Sequence, residues 1–91
     1  MEANERLVSF EAGRFVLVGK RGMGTYALDA GDVIELFVRW QFHPVRVVSG
    51  GYRGWYYVMA DGQRERFAVG MLARLLPMQR AAEIGPMLPM S

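Results

Sequence analysis

The spacing of glycine constrains this chain more than any other feature of its sequence. Ten of the eleven glycines fall between residues 13 and 70, and they divide residues 1–76 into short pieces. Glycine adopts the positive φ angles that tight turns need, so it separates strands more readily than it sits inside a helix. The pieces are rich in β-branched and aromatic residues, which predicts an all-β domain with a turn about every 8–12 residues.

Seven of these pieces are predicted strands. They are Arg6–Phe10, Arg14–Val18, Thr25–Leu28, Val33–Val38, Gln41–Val48, Trp55–Ala60 and Arg64–Val69. Pro44 lies inside the fifth piece and indicates an edge position or a bulge, because proline cannot donate to a strand ladder. Strands of this number and length predict a small SH3-like barrel of about five to seven short antiparallel strands in residues 1–76.

The sequence near the end of the chain fits more than one secondary structure. The apolar positions of Met71–Leu76 fit one face of a helix and equally a closing strand of the barrel, and Pro77 ends the segment in either case. Residues 77–91 are predicted to form a C-terminal extension that is irregular or short-helical. Its methionines and Leu88 are apolar, so we expect this tail to dock on the barrel or on another subunit.

Four short motifs occur in order along the chain. They are Gly24-Thr-Tyr26-Ala-Leu28, Gly31-Asp32-Val-Ile34-Glu35, Pro44-Val-Arg46 and Trp55-Tyr56. Over about residues 13–76 this order resembles an uncharacterised bacterial family of small domains of unknown function, often carried on mobile elements. The resemblance implies an SH3-like fold and no assigned activity. Phe42 stands where that family has tryptophan, and the tail has no counterpart in the family pattern.

The residues that carry most reaction chemistry are scarce. The chain has no cysteine and a single histidine, His43, which excludes thiolate zinc sites and cysteine nucleophiles. A lone histidine is rarely a metal ligand, so we expect His43 to be a surface residue. The acidic residues include no pair whose spacing requires a shared site for acid–base catalysis. We therefore expect no enzyme, no catalytic residue, no metal and no cofactor.

Aromatic and arginine side chains cluster on two predicted strands and the loop between them. The candidate binding residues are Arg39, Trp40, Arg46, Tyr52, Arg53, Trp55 and Tyr57. Tryptophan, tyrosine and arginine dominate interface hot spots, which predicts a non-enzymatic module for a protein partner or for a homo-oligomer. The alternative is a nucleic-acid-binding barrel, because such rings stack on bases and arginine holds phosphates. Simple cross-strand packing of rings and arginine stems explains the cluster equally well.

Charge and hydropathy limit the partners. The chain has 11 Lys+Arg and 9 Asp+Glu, a net charge of +2, which is a weak field for a phosphate backbone. Its apolar runs are shorter than the roughly 20 residues of a membrane span. The first residues, Met-Glu-Ala-Asn-Glu-Arg, lack the apolar stretch of a signal peptide. We expect a cytoplasmic protein without membrane contact.

Overall fold

The computed structural model describes residues 4–20, 24–49 and 54–90, and these residues form eight β-strands, an α-helix and a 3-10 helix. The prediction of an all-β fold is confirmed. The strands are β1 (Glu5–Glu11), β2 (Arg14–Val18), β3 (Thr25–Ala27), β4 (Val33–Val38), β5 (Gln41–Ser49), β6 (Trp55–Met59), β7 (Arg64–Arg66) and β8 (Leu72–Leu75).

All eight strands belong to one antiparallel sheet in the order β3-β2-β1-β8-β4-β5-β6-β7. In the described part of the chain β3 and β7 are the two ends of this sheet and do not pair with each other, so the sheet is curled without being closed. The predicted number of about five to seven strands was too low. Each of the seven predicted pieces contains a strand, and the segment left open between helix and strand supplies the eighth.

That eighth strand, β8, is held by pairing on both sides. Arg74 lies opposite Glu5 of β1 and opposite Glu35 of β4, while Ala73 lies opposite Leu36. Ala73 is 0% exposed, and Arg74 points to the other face of the sheet. The apolar spacing fits a helix as well, but the two flanking ladders decide the conformation because each of them supplies main-chain hydrogen bonds.

The hydrophobic core lies on the concave face of the curled sheet. Cross-strand pairs such as Ile34 with Val45 and Val47 with Tyr57 place their side chains on this face, where all four are buried. The curl also brings β2 against β6, which are distant in strand order. The rings of Phe15 and Trp55 are 6.2 Å apart between centroids.

Pro44 occupies a local edge within an interior strand. It lies opposite Glu35 of β4, but the pairing of β5 with β6 begins only at the next residue, Val45. The strand β5 as a whole is therefore not an edge strand, and the edge predicted for Pro44 is limited to the end of β5 that extends past β6.

The C-terminal tail contains α1 (Met78–Ile84) followed by the 3-10 helix (Gly85–Met87). It lies on the convex face of the sheet, over β4 and β5. A Cβ built on Gly85 would lie 3.7 Å from Val33 Cγ2, and Leu88 is buried. Neither of these helices, nor any other helical segment in the described ranges, has the length and apolar character of a membrane span.

Arg46 of β5 connects the tail to the sheet. Its Nε donates to the carbonyl oxygen of Pro89 at 3.0 Å, one Nη donates to Gly31 at 3.3 Å, and the other donates to Gly85. Arg46 is only 9% exposed. A buried guanidinium is stable only when its donors are satisfied, so these carbonyl groups and the arginine hold each other in place.

We expect Arg46→Met to lower the free energy of unfolding by about 2–4 kcal/mol, because the carbonyl groups of the tail lose a charged donor. Urea unfolding measures this loss, and hydrogen exchange should rise in residues 78–90. The matched control is Arg80→Met in α1, where an exposed pair with Glu83 is removed. The control should lose less than about 0.5 kcal/mol. Equal losses in the two variants would contradict the role given to Arg46.

Candidate functional site

An aromatic groove lies where the β1–β2 turn meets β6 and the residues after β7. Its volume is about 280 Å³. It is lined by Phe10, Gly13, Phe15, Gly54, Trp55, Arg66 and Phe67, which we call the aromatic groove. A groove with an apolar floor and a charged rim is the usual form of a site for a small apolar group or a peptide side chain.

The β1–β2 hairpin supplies one wall. Phe10 and Phe15 lie directly opposite each other in the register, and their rings make an edge-to-face contact with centroids 5.0 Å apart. The connecting residues Ala12 and Gly13 have φ angles of 52° and 81°. Positive φ at both central residues is the geometry of a two-residue hairpin turn, and Gly13 adopts it without strain.

The other wall comes from β6 and from the residue that follows β7. The amide of Phe67 donates to the carbonyl oxygen of Trp55 at 3.4 Å. The ring of Phe67 lies 5.6 Å from that of Phe15 and 5.5 Å from that of Tyr57, so it joins the groove to the core. Phe10, in contrast, is 50% exposed. The rings thus extend from the buried core to solvent.

Arg66 is the charged residue in the described lining of the groove. It is exposed, and no acidic side chain pairs with it among the residues that the structure describes. Four other arginines do have acidic partners. The pairs are Arg14–Asp29 at 2.7 Å, Arg39–Glu65 at 3.7 Å, Arg74–Glu35 at 3.2 Å and Arg80–Glu83 at 3.8 Å.

Two of the predicted site residues, Arg39 and Trp40, lie at the opposite end of β6. Trp55 lines the aromatic groove, whereas Met59 lines a second groove of about 320 Å³ together with Arg39 and His43. Four residues of strand separate the two positions by about 13 Å. The guanidinium of Arg39 donates to Gln63 Oε1 at 2.6 Å, and Trp40 is 91% exposed beside it.

Two further predicted residues, Arg46 and Tyr57, are buried. Arg46 donates to the tail as described above, and the Tyr57 hydroxyl donates to Glu65. Of the five predicted residues that the structure describes, only Trp55 lines the aromatic groove. Tyr52 and Arg53 lie outside the described residues, next to Gly54. The structure therefore does not gather the described members of the predicted cluster into one surface.

The sequence prediction missed Phe10, Phe15, Arg66 and Phe67 as site residues. Both Phe15 and Phe67 follow the strand alternation of core residues, and Arg64-Glu65-Arg66 has the pattern of a solvated strand edge. The available signal was the placement of Phe10 and Phe15 at equal distances from a two-residue turn, which pairs them across the hairpin.

His43 is half-buried rather than on the surface. It lies opposite Leu36 in the β4–β5 ladder, on the concave face, and lines the second groove. Its Nε2 is buried without a hydrogen-bond partner in the described structure. No group of three or more His, Asp or Glu side chains is gathered in metal-binding geometry within residues 4–20, 24–49 and 54–90.

Comparison with protein-family models, with curated proteins and with solved structures gives no match for this chain. The resemblance of residues 13–76 to an uncharacterised bacterial family therefore stays a prediction.

The hydroxyl of Tyr57 makes the free energy of unfolding depend on pH in the alkaline range. Burial raises its pKa well above the ordinary value of about 10, and the hydrogen bond to Glu65 raises it further. The folded state keeps Tyr57 neutral, while the unfolded chain ionises it near pH 10. The stabilisation is thus complete below about pH 10 and is lost as the pH rises above that value.

We expect Tyr57→Phe to cost about 1 kcal/mol at pH 8, because one hydrogen bond is lost. Above pH 10 the difference between the wild type and the variant should shrink. Urea unfolding at pH 8 and at about pH 10.5 measures it. Tyr56→Phe is the control, since Tyr56 points to the convex face and its hydroxyl has no hydrogen-bond partner among the described residues. A difference that is the same at both pH values would contradict the assignment.

The Arg39–Trp40 turn stores strain. The φ angles of the two residues are 52° and 70°, which suits the Asn-Gly sequence of such hairpins better than two bulky side chains. Trp40→Gly should raise the free energy of unfolding by about 0.5–1 kcal/mol, because relief of the left-handed strain exceeds the added chain entropy. Trp40→Ala removes the same ring and keeps the strain, so it should give no gain. Equal thermal midpoints for the two variants would contradict the strain.

Proposed function

We propose that this chain is a non-enzymatic binding module with an SH3-like fold, and that it captures a protein segment through the aromatic groove. The observation that carries the proposal is the set of rings around Phe15. They run from the buried Phe67 to the half-exposed Phe10, and Arg66 lies at the rim. Aromatic residues and arginine are the usual anchors of protein recognition.

The strand order supports the SH3-like assignment. The last strand, β8, lies between β1 and β4, and β4, β5 and β6 then follow as a meander. This order is typical of SH3-like barrels. The hairpin partner β2, the short strand β3 and the short strand β7 extend the sheet beyond that set of five.

The distribution of charge favours a protein ligand over nucleic acid. Binding to a phosphate backbone requires several cations that are free to replace counterions. Here Arg46 is buried against the tail, and Arg14, Arg39, Arg74 and Arg80 each face a carboxylate. A site with three or more rings and Arg66 at its rim fits a peptide with an apolar side chain better than it fits a strand of nucleotides.

A random 12-residue peptide library displayed on phage tests the proposal against the full chain. We expect selected peptides, made synthetically, to bind with dissociation constants on the order of 1–100 μM. Phe10→Ser should weaken binding about tenfold or more, because the ring loses its apolar contact with the ligand. Trp40→Ser is the matched control, since it removes an exposed ring at the far end of β6, and it should leave binding unchanged.

Two results would contradict the proposal. One is that no peptide is selected, and the other is that Trp40→Ser weakens binding while Phe10→Ser does not. Light scattering addresses self-association: if copies of this chain occupy each other's grooves, the wild type is a dimer and Phe10→Ser is a monomer. Salt-dependent binding of single-stranded DNA at about 50 mM salt would favour the nucleic-acid alternative.

A further inference from the structure

One end of the sheet runs directly into the aromatic groove. The strand β7 pairs with β6 on one side, and it is the last strand of the sheet in the described part of the chain. Its residues are all exposed, and Arg66 and Phe67 at its end both line the groove. An edge strand presents unpaired main-chain N–H and C=O groups to any extended segment that lies beside it.

The side chains of β7 divide by charge between the two faces of the sheet. Arg64 lies opposite Val58 and Arg66 opposite Tyr56, so both point to the convex face. Glu65 points to the concave face, where it accepts the Tyr57 hydroxyl and lies 3.7 Å from Arg39. The acid on this strand is thus engaged, while Arg66 has no acidic partner among the described residues.

The other end of the sheet offers no such combination. The strand β3 is also an edge, but it contributes no residue to the aromatic groove. Its Tyr26 hydroxyl donates to Asp32 at 3.3 Å, so its central side chain is turned toward an acid of this chain. Among the described residues, a free strand edge, the aromatic groove and a cation without an acidic partner therefore coincide at β7.

We infer that the ligand of the aromatic groove binds as an added strand on β7. The ligand is an extended segment of a partner protein in which apolar and acidic residues alternate. This inference rests on the function proposed above and names its ligand. Because side chains in a strand alternate between faces, an acid opposite Arg66 places its neighbour in the ligand on the concave face, toward Phe67 and Phe10.

Backbone methylation of the ligand tests the strand pairing. In a strand that pairs on one side, only alternate amides donate to the neighbouring strand. We expect N-methylation of one alternate set of amides in a selected peptide to weaken binding about tenfold or more, since two or more hydrogen bonds are lost. N-methylation of the other set should change the dissociation constant less than about threefold, because those amides face solvent.

Charge reversal tests the role of Arg66. Arg66→Glu should weaken the binding of an acidic peptide about tenfold. Replacement of the acid in the peptide by lysine should restore binding to the variant. Arg80→Glu, on the exposed face of α1, is the control and should have little effect. Hydrogen exchange of the complex should slow at the amides of residues 64–67 and stay unchanged at residues 25–27.

The outcomes separate the two proposals. If no peptide binds, the proposed function fails and the inference fails with it. If peptides bind and Phe10→Ser weakens them, but both methylated sets bind as well as the parent peptide, the function stands and the added strand is overturned. Protection at residues 25–27 in place of 64–67 overturns it as well.

Discussion

The pairing of β8 with both β1 and β4 is the constraint on which the rest of the structure depends. The three N-terminal strands and the meander from β4 to β7 share no other hydrogen-bonded ladder in the described residues. Ala73 is the smallest core side chain and has no exposed area. Its small size lets β8 pack closely between β1 and β4. Since β8 joins the two parts at one fixed register, it also determines that β2 curls over β6.

The aromatic groove is a direct consequence of that curl. Phe15 reaches Trp55 and Phe67 only because the sheet bends far enough for distant strands to face each other. In the described part of the chain the sheet does not close, and no further strand covers the rings near this seam. An open seam leaves apolar rings and main-chain groups exposed at the same place, and these are the two requirements for recognition of an extended peptide.

Arg46 has a different role in the structure from the one that its sequence neighbours predict. In the sequence it lies among aromatic residues and resembles a binding residue. In the structure the same planar group, with donors pointing in several directions, satisfies carbonyl oxygens from a turn and from the tail. The tail then covers the convex face around Val33. The guanidinium group of Arg46, which the sequence predicts to bind a partner, instead donates to carbonyl groups of its own chain.

The strands were predictable from turns and alternation, because glycine positions and β-branched runs act locally. The sequence could not show whether Met71–Leu76 is a helix or a strand. Its conformation is decided by two ladders with residues more than 30 positions away. Of the described residues that line the aromatic groove, the sequence predicted only Trp55 as a site residue. Whether a described arginine has an acidic partner depends on distances between residues far apart in the chain, as in Arg14 with Asp29 and Arg39 with Glu65. Local sequence places Arg66 on a solvated edge next to β6, and only the curl of the sheet places that edge beside Phe10.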